Sequence, residues 1–285
     1  MTTLHDYVAH FDPRADRFPS GLPREEVERF VVEQLRAADL APMPATRLAE
    51  LTAFYHLDAA VDAWRPRMRP EGRDANALAV AAQAVRAVAL VGDTRAREEA
   101  SAAFAPIAQH PRWNDRFAEL LPVAWALGDA STLSARLDGF VREQVSSRDP
   151  QAGLLAREAA DVRDVALPRL TEALAAWRSI TAQPSEEARL DRCADVYVGR
   201  DMTWREHLEP ACVWLLARVG FSDPSRPMAA FRRCLARMGD DAPAGQRAKA
   251  LAAVQVFGGD LSAEEVTELR AAGSLRAVLA PEASP

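Results

Sequence analysis

Histidine, aspartate and glutamate are the first candidates for chemistry in this chain, because such side chains hold metals and transfer protons. The five histidines are scattered, and no Glu-x-x-His or His-Glu-x-x-His pattern places a carboxylate and an imidazole on one helix face. His5 precedes Asp6, but no matching set of further metal-ligating residues follows, so this dipeptide is interpreted as a polar helix start. No metal or other cofactor is therefore predicted. The histidines are His5, His10, His56, His110 and His207.

Nucleotide-binding and nucleophile motifs are also missing from the sequence. It contains no G-x-x-x-x-G-K-[ST] or G-x-G-x-x-G loop and no G-x-S-x-G elbow. Asp240-Asp241 lacks the third acid of an aspartate-rich magnesium motif and is better explained as capping of the helix that follows. The three cysteines are 19 and 22 residues apart, which favours reduced, buried thiols over disulfides, a zinc site or a nucleophile. They are Cys193, Cys212 and Cys234.

The most suggestive side chains lie on the helix predicted from Thr203 to Val219. One stripe of this helix contains tryptophan, histidine and arginine at spacings of three and four residues, and the adjoining face is apolar. Tryptophan and arginine are enriched at binding hot spots, so the stripe is a candidate partner-binding surface. Burial of both faces is the alternative, as expected for the other tryptophans on helices (Trp113, Trp125 and Trp177). The candidate partner-binding residues are Trp204, His207, Trp214 and Arg218.

The elements that position these residues are predicted to be helices separated by short turns. Between Leu78 and Phe140, apolar residues recur every three or four positions, and breaks fall at Gly92-Asp93, His110-Pro111 and Gly128-Asp129. Each glycine is expected to end a helix in the left-handed conformation, and each aspartate to cap the next helix. Capping boxes at Thr203/Glu206 and Ser262/Glu265 mark two further helix starts.

The spacing of acidic helix starts suggests a repeat. Successive starts lie 35, 36, 35, 37 and 39 residues apart, and a second break lies between each pair. This spacing is typical of helix-pair solenoids and predicts an all-α, right-handed α-solenoid of about six antiparallel helix pairs. An irregular multi-helix bundle is the alternative. The starts are Asp58, Asp93, Asp129, Asp164, Asp201 and Asp240.

Composition limits the classes of function. The chain has 285 residues and a formal net charge of -6, which argues against nucleic acid as the main partner. No strand pattern, secretion signal or apolar run of about 18 residues is found, so we expect a cytoplasmic protein without a membrane span. The predicted organisation is N-terminal helices and a linker (1–43), a helical-repeat domain (44–272) and a C-terminal tail (273–285).

The helix–Gly-Asp–helix units resemble those of tetratricopeptide and HEAT-type repeat proteins. Gly92 occupies the tetratricopeptide turn position, Ala100 and Ala103 match its small residues, and Pro111 lies near the repeat end, but the Trp-Leu-Gly-Tyr start is absent. The resemblance covers residues 44–272 and implies an extended surface that holds protein or peptide partners. A non-catalytic scaffold or adaptor with a concave binding face is therefore the leading hypothesis. Alternatives are an all-α enzyme or small-molecule binder with an interhelical pocket, and a HEAT-like nucleic-acid binder.

Overall fold

The protein is helical throughout the part that the structure describes. A computed structural model describes residues 3–10, 19, 22–37, 39–70, 74–199, 219–221, 223, 225–239 and 242–272. These residues contain helices and turns and no strand, which confirms the all-α prediction. Within the same residues, every helix is too short or too polar to cross a membrane.

Many of the described helices are joined by short connections, such as those at 92–93 and 128–130. Three short 3₁₀ turns, Arg65–Met68, Pro111–Trp113 and Phe117–Leu120, lie between them. The α-helices are α1 (Leu4–His10), α2 (Arg24–Leu35), α3 (Pro42–Tyr55), α4 (Asp58–Trp64), α5 (Ala75–Val91), α6 (Thr94–Ala108), α7 (Leu121–Leu127), α8 (Ser131–Ser146), α9 (Ala152–Asp161), α10 (Leu167–Thr181), α11 (Glu186–Gly199), α12 (Ser225–Arg237), α13 (Ala244–Val256) and α14 (Ala263–Ala271).

The chain divides into two compact units that are discontinuous in sequence. Unit 1 comprises residues 1–33, 50–57 and 179–285, and unit 2 comprises residues 34–49 and 58–178. The linear segments expected from the sequence, with boundaries after residues 43 and 272, stay a prediction.

Unit 2 is built around helix α5. This helix packs against α4, the 3₁₀ turn Arg65–Met68, α6 and α7. Every residue from Ala84 to Val91 is buried, including the side chain of Arg86, so the second half of α5 is covered on all of its faces. Many of these residues are alanines, whose small side chains allow neighbouring helices to approach closely.

The turns at Gly92 and Gly128 differ from each other, although the sequence predicts the same turn at both. Gly128 is left-handed, with a φ of 76°, as expected, and the Asp129 carboxylate accepts a hydrogen bond from the Ser131 N–H at 2.8 Å. Asp93 accepts from the Ala96 N–H at 2.8 Å, which confirms its role as a cap. The left-handed prediction for Gly92 is wrong, because its φ is -64°. Glycine is required there for space, since a Cβ would lie 2.6 Å from both the Val88 carbonyl oxygen and the Ala96 Cβ.

The helix start predicted at Asp164 is also wrong. Helices α9 and α10 are joined by a π-helical turn, Val162–Ala166, and the backbone stays helical throughout. The Leu167 N–H donates to the Val162 carbonyl, five residues back. Pro168 has no N–H to donate to Asp164, and the wider turn accommodates the missing bond. Asp164 therefore lies inside a helical segment and does not begin a repeat unit.

A cation–π contact fixes the connection between α6 and α7 onto α8. The Arg136 guanidinium lies 5.5 Å from the ring centroid of Phe117 and 5.1 Å from that of Phe140. It also donates a 2.7 Å hydrogen bond to the Asn114 side-chain oxygen. Burial in this site lowers the pKa of Arg136. Leu133, Leu137 and Phe140 form the buried stripe of α8. Val141, which the sequence pattern also places in this stripe, is only half-buried.

Unit 1 contains an aromatic core. Phe54 on α3 stacks on Phe257 at a centroid distance of 4.9 Å, and Phe257 also stacks on Phe231 of α12 at 6.3 Å. Tyr197 of α11 contacts Phe231 edge to face. The Tyr7 hydroxyl of α1 donates a buried 2.7 Å hydrogen bond to Glu50.

Ion pairs join the outer surfaces of the unit 1 helices. Arg233 and Arg237 on α12 lie 2.8 Å and 2.6 Å from Asp191 and Asp195 on α11, respectively. Helix α14 begins with the predicted capping box, because the side chains of Ser262 and Glu265 each accept a hydrogen bond from the backbone N–H of the other residue.

Replacing either of two glycines of unit 2 with alanine should change the free energy of unfolding, and the two changes should have opposite signs. Gly92→Ala should lower the free energy of unfolding by about 1–3 kcal/mol, because its Cβ meets backbone. Gly139→Ala should raise it by about 0.5–1 kcal/mol, because Gly139 lies inside α8 with nothing within 4 Å of an added Cβ. Urea unfolding of both variants measures the difference, and a Gly92→Ala protein as stable as wild type would contradict the packing described.

Candidate partner-binding groove

The residues predicted from the sequence to bind a partner cannot be placed on this structure. Trp204, His207, Trp214 and Arg218 lie outside the described residues, as does the capping box at Thr203/Glu206. Asp201, Cys212 and the Asp240-Asp241 pair also lie outside them. The partner-binding stripe therefore stays a prediction.

The remaining helix tryptophans belong to the core, as predicted. Trp113 and Trp125 are each 1% exposed, and Trp177 is 8% exposed. Trp125 and Trp177 contact each other edge to face at 6.1 Å. These rings therefore contribute to packing in unit 2.

His5 and Asp6 begin helix α1. The Thr3 hydroxyl donates to the Asp6 carboxylate at 2.6 Å and accepts from the Asp6 N–H, and this bonding lowers the pKa of Asp6. His5 contacts the Phe30 ring edge to face at 4.8 Å. Over the residues that the structure describes, no group of three His, Cys, Asp or Glu side chains is arranged to hold a metal ion.

The two described cysteines are buried thiols. Burial raises the pKa of the fully buried Cys193 thiol well above its ordinary value. Burial and the nearby Asp195 carboxylate raise the pKa of Cys234 to about 11. Both thiols are therefore protonated at neutral pH, which disfavours a nucleophilic role.

A groove in unit 2 brings together residues that the sequence pattern did not connect. Its volume is about 770 Å³, and it lies between the end of α2, the loop before α3, the 3₁₀ turn Arg65–Met68 and the start of α5. We call it the α2–α5 groove. Its lining residues are Leu35, Arg36, Asp39, Leu40, Ala41, Ala63, Pro66, Arg67, Arg69, Pro70, Asp74, Asn76, Ala77 and Val80.

Apolar residues form the base of the α2–α5 groove. Leu35 and Val80 are buried beneath it, and Leu40, Ala63 and Ala77 are half-buried along its walls. Packing of α4 against α5 holds Ala63, Ala77 and Val80 in place, so this part of the base belongs to the framework of unit 2. It offers a contact for an apolar side chain of a ligand.

Arg67 connects the groove to the end of α2. Its Nε and one terminal nitrogen donate to the Leu35 carbonyl at 3.0 and 2.6 Å, and the same terminal nitrogen donates to the Ala37 carbonyl. These carbonyls lack partners within a helix, so the guanidinium caps the C-terminal end of α2. Partial burial lowers the pKa of Arg67 without removing its charge at neutral pH.

The start of α5 forms another wall. The Asp74 carboxylate accepts hydrogen bonds from the N–H groups of Asn76 at 3.2 Å and Ala77 at 3.4 Å. The first-turn donors of α5 are thus partly satisfied by its own cap. Asp74 acts mainly in helix capping, and the exposed Asn76 lines the groove beside it.

The rim carries two exposed arginines. Arg36 and Arg69 are solvent-exposed, and within the described parts of the chain neither forms an ion pair or a hydrogen bond through its side chain. With Arg67, they give the groove three guanidinium groups against the two carboxylates of Asp39 and Asp74. The groove is therefore suited to binding an anionic group next to an apolar one.

Sequence reasoning missed this groove because its residues are distant in the chain. Arg36 is separated from Arg67 and Arg69 by about 30 positions, and only the packing of α2 beside the 3₁₀ turn brings them together. The local signal was limited to Pro66 and Pro70, which mark an irregular segment where functional side chains often lie.

A second cavity lies in unit 1 between α1 and α2. Its volume is about 610 Å³, and its lining includes Leu22, Glu26, Arg29 and Glu33 together with the first residues of α1. The charged side chains are exposed, so they remain largely hydrated.

Comparison with known proteins adds no family assignment. No protein-family model, curated protein or solved structure matches this chain with significance.

Replacing Arg67 with alanine should lower the free energy of unfolding more than replacing Arg69 with alanine. Arg67→Ala leaves the carbonyls at the end of α2 without their donor and should cost about 1–3 kcal/mol. Arg69→Ala removes an exposed side chain and should change the free energy of unfolding by less than about 0.5 kcal/mol. Urea unfolding compares the two, and equal losses would contradict the separate roles.

Cys193 should resist alkylation in the folded protein. Iodoacetamide at mildly alkaline pH should modify it at least about 100-fold more slowly than in the urea-unfolded chain, because the thiol is buried and protonated. Mass spectrometry of the Cys193 peptide measures the rate. Rapid modification of the native protein would show an accessible thiolate instead.

Proposed function

We propose that this protein is a non-catalytic helical scaffold or adaptor that binds a protein or peptide partner. The α2–α5 groove is the observation that carries the proposal. It combines an apolar base formed by Leu35 and Val80 with arginine side chains, and interfaces are enriched in arginine at their energetic centres.

The chemistry of the groove is better suited to binding than to catalysis. Guanidinium groups stay protonated across the physiological pH range and do not transfer protons readily. Asp74 is held by backbone N–H groups, and Arg67 by backbone carbonyls. These groups hold fixed charges in fixed positions, as recognition of a partner requires.

Two architectures are compatible with this function. Packing of α5 on α6, α8 on α9 and α12 on α13 supports the stacked helix pairs of a solenoid. For unit 2 we favour the irregular bundle, because the second half of α5 is covered on all sides, whereas a solenoid helix contacts only its neighbours in the stack. The position of Asp164 within a helical segment supports the same choice.

Photo-crosslinking from the groove tests the proposal. p-Benzoylphenylalanine placed at the exposed Ala41, on the groove rim, should form adducts with a protein or peptide in the cells that make this chain. The same residue at the exposed Ala102 on α6, outside the groove, is the matched control and should not form these adducts. Mass spectrometry identifies the adducts.

The outcomes separate the candidate functions. A protein adduct specific to position 41 supports the proposal. Equal adducts from both positions, or no protein adduct from position 41, would overturn it and favour a small-molecule binder or enzyme.

A further inference from the structure

We propose that the α2–α5 groove selects an acidic segment of its partner, in which carboxylate side chains flank an apolar residue. The inference rests on the proposed function and specifies the chemistry of the partner. It depends on the charge of the groove rim, on the apolar base and on the size of the cavity.

Several arginines outside the groove lie close to carboxylates of the same chain. The chain has more acidic than basic residues, with a net charge of -6, so carboxylates are plentiful. Arg65, Arg233 and Arg247 each lie within hydrogen-bonding distance of a carboxylate. Arg36, Arg67 and Arg69 form no ion pair within the described residues, although they surround one cavity. The guanidinium groups of Arg36 and Arg69 are available to pair with an acidic ligand, often through two parallel hydrogen bonds. Arg67 is engaged with the carbonyls at the end of α2 and contributes mainly its positive charge.

The apolar base limits what kind of anion fits. A small inorganic anion would contact the arginines and leave Leu35, Val80 and the half-buried Leu40 uncovered. A volume of about 770 Å³ holds several residues of an extended peptide, within the usual range for ligand sites. A peptide that places one apolar side chain on the base and carboxylates at the rim uses both surfaces.

The two carboxylates of the groove set the orientation of the ligand. Asp74 is engaged at the start of α5, so its charge is partly offset by the helix N-terminus. Asp39 is exposed on the loop before α3 and repels a second carboxylate at that end. We therefore expect the acidic residues of the segment to lie towards Arg67 and Arg69, with a neutral or basic residue beside Asp39.

Charge reversal at the rim provides the test. Arg36→Glu/Arg69→Glu changes the two exposed arginines and leaves the α2 cap formed by Arg67 intact. The control, Arg97→Glu/Arg157→Glu, makes the same change in net charge at two exposed arginines of unit 2 that lie outside the groove and form no ion pair in the described chain. Urea unfolding confirms that both variants fold.

Selection from a peptide library then measures which peptide sequences the groove prefers. A phage-displayed library of random peptides of about 12 residues is selected on the full-length wild-type protein and on both variants. Synthetic versions of the enriched peptides are compared by fluorescence polarisation at low and high salt. Wild type and control should enrich peptides with Asp or Glu next to Leu, Ile or Phe. The rim variant should bind these peptides at least about tenfold more weakly, and high salt should weaken the wild-type complex.

The other possible results separate failure of the acidic preference from failure of the proposed function. Enriched peptides without acidic residues, bound equally by all three proteins, would overturn the acidic preference and leave the proposed function standing. Competition by single-stranded DNA at concentrations matched to the peptide would assign the groove to nucleic acid. Failure to enrich any peptide over beads without protein would count against both the inference and the proposed function.

Discussion

Burial of the second half of helix α5, residues 84–91, on every side is the constraint on which unit 2 depends. A helix that is covered on every side needs neighbours on every side, and α4, the following 3₁₀ turn, α6 and α7 occupy those positions. Its capped N-terminus, with the exposed Ala75 and Asn76, is the point where the helix reaches the surface. The α2–α5 groove lies at that point, so core packing determines where the candidate site is found.

Arg67 contributes both to the stability of unit 2 and to the charge of the α2–α5 groove. Its guanidinium ends α2 by binding the last carbonyls of that helix, and this bonding holds the positively charged side chain at the edge of the groove. A fixed arginine loses less side-chain entropy on binding than a mobile one. The exposed Arg36 and Arg69 have more freedom and adapt to the ligand, so the site combines a fixed cation with two adjustable ones.

Local features could be predicted from the sequence with good accuracy, and features that depend on tertiary packing could not. The Asp93 cap and the Ser262 capping box were predictable because each acts within one turn of its own helix. Gly92 was misinterpreted because glycine provides either a left-handed backbone or space for a neighbour, and the close approach of Ala96 decides between them. The α2–α5 groove was missed because no local pattern joins Arg36 to Arg67.

The π-helical turn between α9 and α10 has a geometric consequence. One α-helical residue corresponds to a rotation of about 100° about the helix axis, so the extra residue shifts the angular phase of everything that follows. Ala152 and Ala159 are buried before the turn, and Leu170, Trp177 and Ile180 after it. The π-helical turn therefore changes the direction in which the second of these stripes points relative to an unbroken α-helix. Trp177, in that second stripe, contacts Trp125.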